Sequence, residues 1–571
     1  MERRVLIAIF LSFLVLYTYQ ALFVRPVPKP ATAPASETAA PAEPANSGST
    51  AAAPPAPAPP DAASVVLGDS AERDIRIETP EVIAVFTNRG ALLKSWRLKR
   101  YLDERSEPLE LIANDLPGAL VLPFTLRSDD ENVNRTLDAA LFALRDDPPP
   151  GVIGAPTQLV FEFRDAAGVY ARKEFTLDPS NYVLKFGATI SLADRQLQPS
   201  IAWGPALGDI DSGSGRYVVK ARGLVSAADS VQRFAAADIE KQPTHEGDFQ
   251  YAGVDDHYFM TVVLNPGRST VSYQHISLPP PAGSKQPARE LMSYRVAPGR
   301  QDTLAFYIGP KDFDQLAAID RPLVRAIDFG RFAFVVVPLL RALNWIYGYV
   351  GNYGWAIIIL TVLINAAMFP LRHKSVVSMR KMQEIQPEAK AIQDRYAKYS
   401  STDPAKQKMN QELMALYRER GVNPASGCIP MLLTFPVLFA FYALLTTAIE
   451  LRGAPFVAWI HDLSMPDPYY VTPILMGISQ IWQTRITPQA GTDPAQQKMM
   501  MFMPVIFMFF FLWAPAGVAI YWLISNVWGI GQQYLTTYLI GPPNMRTPRP
   551  PAERRVKRVG ASKTEAAARE I

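Results

Sequence analysis

Cysteine occurs once in 571 residues, which excludes a disulfide scaffold and any zinc or iron–sulfur site built from several thiolates. The five histidines are scattered, so no metal cluster and no bound cofactor are expected. There is no phosphate-binding glycine loop, and Ser212-Gly213-Ser214-Gly215 lacks the spacing of a nucleophile elbow. His461-Asp462 has no third catalytic partner nearby, and an enzyme is not expected. Acidic residues are missing from Phe329 to Gln383 and from each long apolar run beyond. Ion-coupled transporters place ionisable groups near the bilayer midplane, so this gap counts against a pump or symporter. The balance of 57 Lys+Arg against 53 Asp+Glu leaves a net charge of +4, which excludes a strongly basic DNA binder.

What is present changes along the chain. Residues 5–24 are uncharged and follow Arg3-Arg4, long enough to cross a bilayer and poor in cleavage-site character. They are read as a transmembrane signal anchor, residues 1–24. Residues 25–63 hold eleven prolines in 39 positions and read as an Ala/Pro-rich linker. From 64 to about 325, alternating runs recur between Gly, Pro, Asp and Asn turns, as in 81–86, 158–163 and 182–186. That pattern predicts an all-β domain, most simply a sandwich of antiparallel sheets, without long amphipathic helices until its end. Residues 326–350 are apolar but carry Arg331 and Arg341 and an aromatic cluster, the pattern of an amphipathic helix lying in the membrane interface. Five further spans are expected at about 352–371, 426–449, 469–486, 499–514 and 517–540.

Loop charges set the orientation. Residues 372–425 carry 11 basic and 6 acidic groups, the tail 541–571 carries 8 and 3, and the loop 450–468 carries one basic against three acidic. By the positive-inside rule the first two are cytoplasmic and the third is outside. Six spans with both termini inside satisfy every loop, and the acidic β domain then faces outward, into the periplasm of a bacterial inner membrane.

Within 375–420, Met382, Ile385, Ala389, Ile392, Tyr396 and Tyr399 recur at 3-4-3-4-3, and Met409, Leu413 and Leu416 offer a matching seam. Asp403-Pro404 between them reads as an N-cap followed by a first-turn proline. A cytoplasmic coiled-coil hairpin is the expectation; a single helix on the lipid surface is the competing one. Thr402–Met409 returns almost unchanged at 492–499, reuse of a good helix start. The spans themselves contain mild polar residues. Thr361, Asn365, Met368 and Arg372 share one helix face, Thr434, Thr446 and Thr447 lie in the next span, Gln480 and Gln483 in the following one, and Tyr521, Ser525 and Asn526 in the last. A groove lined this way would be wet and uncharged, and would lower the cost of bringing peptide groups into the membrane. Asn365 could instead bond a neighbouring helix, and Arg372 could snorkel to headgroups. Thirteen of 17 methionines fall between Met368 and Met508, flexible side chains suited to varied apolar partners.

The stretches GNYGWAIIILTVLINAAMFPL, NPASGCIPMLLTFPVLFAFYALL, ELRGAPFVAWIHDLSMPDPYY and TDPAQQKMMMFMPVIFMFFFLWAPAGVAIYWLISN resemble the YidC/Oxa/Alb insertase family in its Gram-negative form, over about residues 329–540. The resemblance implies a polytopic α-helical membrane protein with a five-helix core. It also implies a periplasmic β-supersandwich similar to sugar-binding folds and a hydrophilic groove open to cytoplasm and lipid. It implies insertion and chaperoning of nascent membrane proteins, alone or with the Sec translocon, without nucleotide chemistry. Groove positions carried over are Thr361, Met476, Tyr521 and Trp522, to which the polar pattern of the spans adds Asn365, Arg372, Thr434 and Gln480. The hairpin and the basic tail, with Arg546, Arg549, Arg554, Arg555, Lys557 and Arg558, are implied contacts for ribosome, targeting factors or anionic lipid. One position departs from the family: a basic residue is usual five places before the Pro-Leu pair, and here Asn365 precedes Pro370-Leu371. Arg372, on the same face and nearer the cytoplasm, could supply that charge by reaching inward. The alternative classes are a small-molecule channel or transporter with a regulatory periplasmic domain, and a membrane-anchored sugar-binding receptor.

Overall fold

The computed structural model describes residues 64–541 except 104, 114–120, 194, 208–218, 229, 279–288, 300–302, 400–402, 423–428 and 488–493. The N-terminal anchor, the linker and the basic tail, with all six of its named cations, lie outside the described residues. The chain divides into two compact units, Met1–Ala62 with Thr492–Met500, and Ala63–Gly491 with Met501–Ile571. The second contains everything that follows except residues 494–500.

The runs with period-2 alternation form strands. Val82–Thr87 buries every other residue, and Thr157–Asp165, Val169–Leu177 and Val183–Leu192 pair in antiparallel succession. They belong to two sheets, one of 14 strands and one of four made by Asp74–Glu78, Val82–Thr87, Leu92–Leu102 and Pro108–Glu110. Trp96 of the small sheet donates its indole N–H to the carbonyl of Ile308 in the large one, at 3.0 Å. Phe124 contacts the rings of Phe175, Phe186, Trp203 and Phe306 in the shared core. Lys173 is fully buried there, its ammonium held by the carbonyls of Gly90 at 2.6 Å, Phe124 at 2.9 Å and Ala91 at 3.2 Å. Burial pushes that amine down to about 7. The sequence pattern missed helices α1 (Glu131–Ala139) and α2 (Ala236–Ile239); α1 is short, capped by Asp130, and buries only Val133, Asn134 and Leu137.

Helix α3 (Phe313–Ile319), capped by Asp312, leads through two 3-10 turns into α4 (Ala333–Val350). Val336, Leu340, Leu343 and Ile346 of α4 are buried, whereas Phe334, Trp345 and Tyr349 are exposed. The following helices are α5 (Tyr353–Glu384), α6 (Gln386–Arg395), α7 (Pro404–Glu419), α8 (Ile429–Thr447), α9 (Val471–Ile486), α10 (Pro494–Phe511) and α11 (Ala516–Ile540). Among the described residues, Gly330–Val350 and Tyr353–Glu384 are long and apolar enough to cross a membrane; Pro436–Thr447 and Met501–Phe511 are shorter apolar segments.

The β part meets the helices through specific polar contacts. His257 accepts the Val219 N–H on Nδ1, which leaves Nε2–H to donate to the Thr446 carbonyl at 2.8 Å. That carbonyl lies in the last turn of α8, where no intrahelical donor remains. The Arg452 guanidinium stands 5.3 Å from the centre of the Phe259 ring.

Helices α6 and α7 pack as a hairpin. Asp403 accepts the Ala405 N–H at 2.8 Å, with Pro404 in the first turn. Ala389, Ile392, Leu413 and Leu416 form the buried seam, flanked by Tyr396, Met409 and Tyr417. Arg395–Glu412 and Arg420–Glu388 ion pairs border it. The expected seam was longer than this. Met382 belongs to α5, Tyr399 is 48% exposed, and neither joins the cluster. Met382 is cut off by the break at Ile385, where Pro387 starts a new helix and the 3-4 register cannot run through, and Tyr399 lies beyond the end of α6 at Arg395. Ile385 itself is buried at that break.

Candidate functional site

Helices α5, α9 and α11 enclose a cavity of about 300 Å³, with Leu438 of α8 at its edge. At one end it is stopped by apolar packing. Ile357 and Leu360 of α5, Leu444 and Leu445 of α8, Leu463, and Val518 and Ile520 of α11 are all almost completely buried. Tyr521 closes this plug by stacking on Phe441, ring centres 4.3 Å apart. Beyond Tyr521 the same helices turn polar.

Asn365 is 3% exposed and sits just past the plug. Its amide donates to the Thr361 carbonyl at 2.8 Å and reaches the Ser525 hydroxyl at 3.4 Å. Its side-chain oxygen accepts Nη1–H of Arg372 at 2.7 Å. Two helical turns separate these residues, so the long guanidinium side chain folds back along α5 instead of extending away from it. Arg372 is the one charged residue among the described lining of the cavity.

Across from it, the Trp522 indole donates to Gln480 Oε1 at 2.9 Å, and Asn526 donates to the Ser479 hydroxyl at 3.0 Å and to the Met476 carbonyl at 3.3 Å. Further along α11, Gln532 donates to the Phe369 carbonyl at 3.3 Å, and Thr536 faces Nδ1 of His373 at 3.2 Å. Burying carboxamides and hydroxyls in a bundle destabilises it unless they find partners, and here these groups bond one another and nearby backbone carbonyls.

The expected groove residues divide accordingly. Arg372, Gln480, Tyr521 and Trp522 line the cavity, and Asn365 anchors Arg372 from behind it. Thr361 is fully buried and spends its hydroxyl on its own helix, at 2.6 Å from the Ile357 carbonyl. Met476 is buried in the packing, off the cavity wall. The Thr434 side chain lies outside the described residues. Thr446 likewise bonds its own helix, to the Tyr442 carbonyl at 2.8 Å. The cavity also takes in Ser375, Thr487, Gly529, Gln532 and Gln533, which reading by residue type passed over. A signal for most of them existed: Ser525/Asn526, Gly529, Gln532/Gln533 and Thr536 recur every three or four places along one face of α11.

Comparison with known proteins extends over nearly the whole chain. Residues 345–541 match the family model described as 60Kd inner membrane protein, and residues 74–342 match the model described as YidC periplasmic domain. The chain is 35% identical over 545 residues to a membrane protein insertase YidC of Geobacter metallireducens, covering 93% of this chain and 98% of the relative. It is 35% identical over 556 residues to one of Syntrophus aciditrophicus, covering 94% and 99%. Among solved structures, an active YidC insertase with its first transmembrane domain resolved is similar at 18% identity, covering 84% of this chain and 95% of that one, with a TM-score of 0.34.

Proposed function

The chain belongs to the YidC family of membrane protein insertases, non-catalytic proteins of the inner membrane with a periplasmic domain, and from that premise we propose how it inserts its substrates. The polar cavity between α5, α9 and α11 is the insertion groove. The polar flank of a nascent segment enters it from the cytoplasm, and the apolar stretch slides out along the helices into lipid. Its hydrated wall lowers the penalty for peptide and side-chain polar groups leaving bulk water. The apolar plug stops the flank from passing straight through. The observation that carries this reading is the abrupt change at Tyr521, apolar core on one side and a hydrogen-bonding wall with a single cation on the other.

The cation is part of the proposal. Arg372, tethered by Asn365, supplies the positive charge that the family otherwise carries at the asparagine's position. It attracts acidic groups on the entering flank. Short helices assist: α9 has 16 residues, about 24 Å at 1.5 Å each, less than the about 30 Å hydrocarbon core, so the bilayer thins beside it.

Six spans with both termini in the cytoplasm, the acidic β domain in the periplasm and the α6–α7 hairpin on the cytoplasmic side complete the arrangement. The hairpin and basic tail receive ribosomes and targeting factors, α4 lies in the interface, and the protein also chaperones folding, alone or beside the Sec translocon. The deciding experiment reconstitutes the purified chain in proteoliposomes. Integration of a single-span substrate without solute flux is expected. Flux of small solutes without integration would instead establish a channel and overturn the proposal.

A further inference from the structure

Two carboxamides in the groove have no hydrogen-bond partner among the described residues. Gln483 on α9 and Gln533 on α11 both line the cavity, and neither side chain makes a hydrogen bond within the described residues. Their neighbours are committed: Gln480 to Trp522, Gln532 to Phe369 and Asn526 to Ser479. The Gln483 amide lies directly over Gly529, where a Cβ would come within 2.3 Å of its nitrogen. Gln533 follows Gly529 by four residues on the same face of α11, which sets the two side chains about one turn apart. Gly529 thus makes room for one amide beside the other.

Resting on the insertase reading, we infer that Gln483 and Gln533 form a pair that hydrogen-bonds the peptide backbone of the entering flank. A carboxamide presents a donor and an acceptor in one plane, matching the C=O and N–H of a peptide group. Neither carries a charge, so the pair binds the flank whatever its side chains, while Arg372 discriminates by charge. The flank has left water before it has any helical partner, so its backbone groups are the ones that need partners. This division lets one groove accept many sequences.

The test uses the full chain in proteoliposomes and two synthetic single-span substrates, identical except that one has a backbone N-methylated through its polar flank. The double variant Gln483→Met with Gln533→Met should insert the ordinary substrate about fivefold more slowly, the loss of roughly one hydrogen bond, and slow the methylated one, which keeps only its carbonyl acceptors, by clearly less. Gly529→Ala, which displaces Gln483 without altering it, should show the same selectivity. Equal slowing of both substrates, or of neither, overturns the inference. A parent chain that integrates neither substrate sinks the insertase reading, and the inference with it.

Discussion

Replacing Arg372 with alanine tests whether a tethered side chain can stand in for a charge missing from the usual depth. The substitution removes the 2.7 Å bond to Asn365, and charge-assisted bonds of this kind are worth about 1.5–3 kcal/mol. It also removes the only cation of the described cavity wall. A carboxylate about 6 Å from the guanidinium, at an effective dielectric near 20, is attracted by about 3 kcal/mol. Hydration of the groove takes back part of this, leaving about 1.5–2 kcal/mol, or roughly ten- to thirtyfold in rate. The assay is protease-protected integration into proteoliposomes of a single-span substrate whose flank carries Asp, compared with its Asn twin. The Asp substrate should slow by that factor and the Asn substrate by less, and the gap should shrink only modestly at high salt because the pair is half-buried. Adding Asn365→Arg to the Arg372→Ala chain should restore the Asp substrate, by placing the charge directly at the depth it now reaches by bending back. If Arg372→Ala slows both substrates equally, the charge plays no part in selection and the compensating role is wrong.

Asn365→Leu should slow polar-flanked substrates more than purely apolar ones in the same assay, since it strands Arg372 and dries the wall; an equal effect on both would refute the wet groove. Lys173→Met removes the donor shared by three buried carbonyls and should lower the stability of the β part by about 3 kcal/mol, read from denaturant unfolding of the full chain. Glu450, in the loop after α8, should make the join between β part and helices pH-sensitive. Burial, with Asp312 and Asp314 adding to it, pushes its carboxyl up to about 7 from an ordinary 4.5. The folded state therefore holds this proton more tightly than the unfolded chain does. Stability is greatest below pH 4.5, falls as pH rises toward 7 and is level above that, a span of about 3 kcal/mol at 1.36 kcal/mol per pH unit. Glu450→Gln should flatten this dependence and raise the melting temperature at pH 8; an unchanged pH profile would show that the carboxyl is not held in this way.

Period-2 alternation, apolar runs and loop charge are local properties, and they were enough to read strands at 81–86, 158–163 and 182–186, helices across the apolar runs, and an acidic β part between basic segments. Local reading failed where distant residues decide the outcome. Pro387 marks a helix break in the sequence, yet the 3-4 count carried the seam back across it to Met382 and on to Tyr399, beyond the end of α6. Thr361 and Met476 carried the polarity and flexibility expected of a groove, yet packing turned one to its own backbone and buried the other. Residue types and their spacing alone pointed to a membrane protein with a separate β domain, because burial and solvation act residue by residue. Only the tertiary structure brought Arg372 onto Asn365, set Gln483 over Gly529 and placed the plug at Tyr521, because which polar groups partner each other depends on three helices meeting.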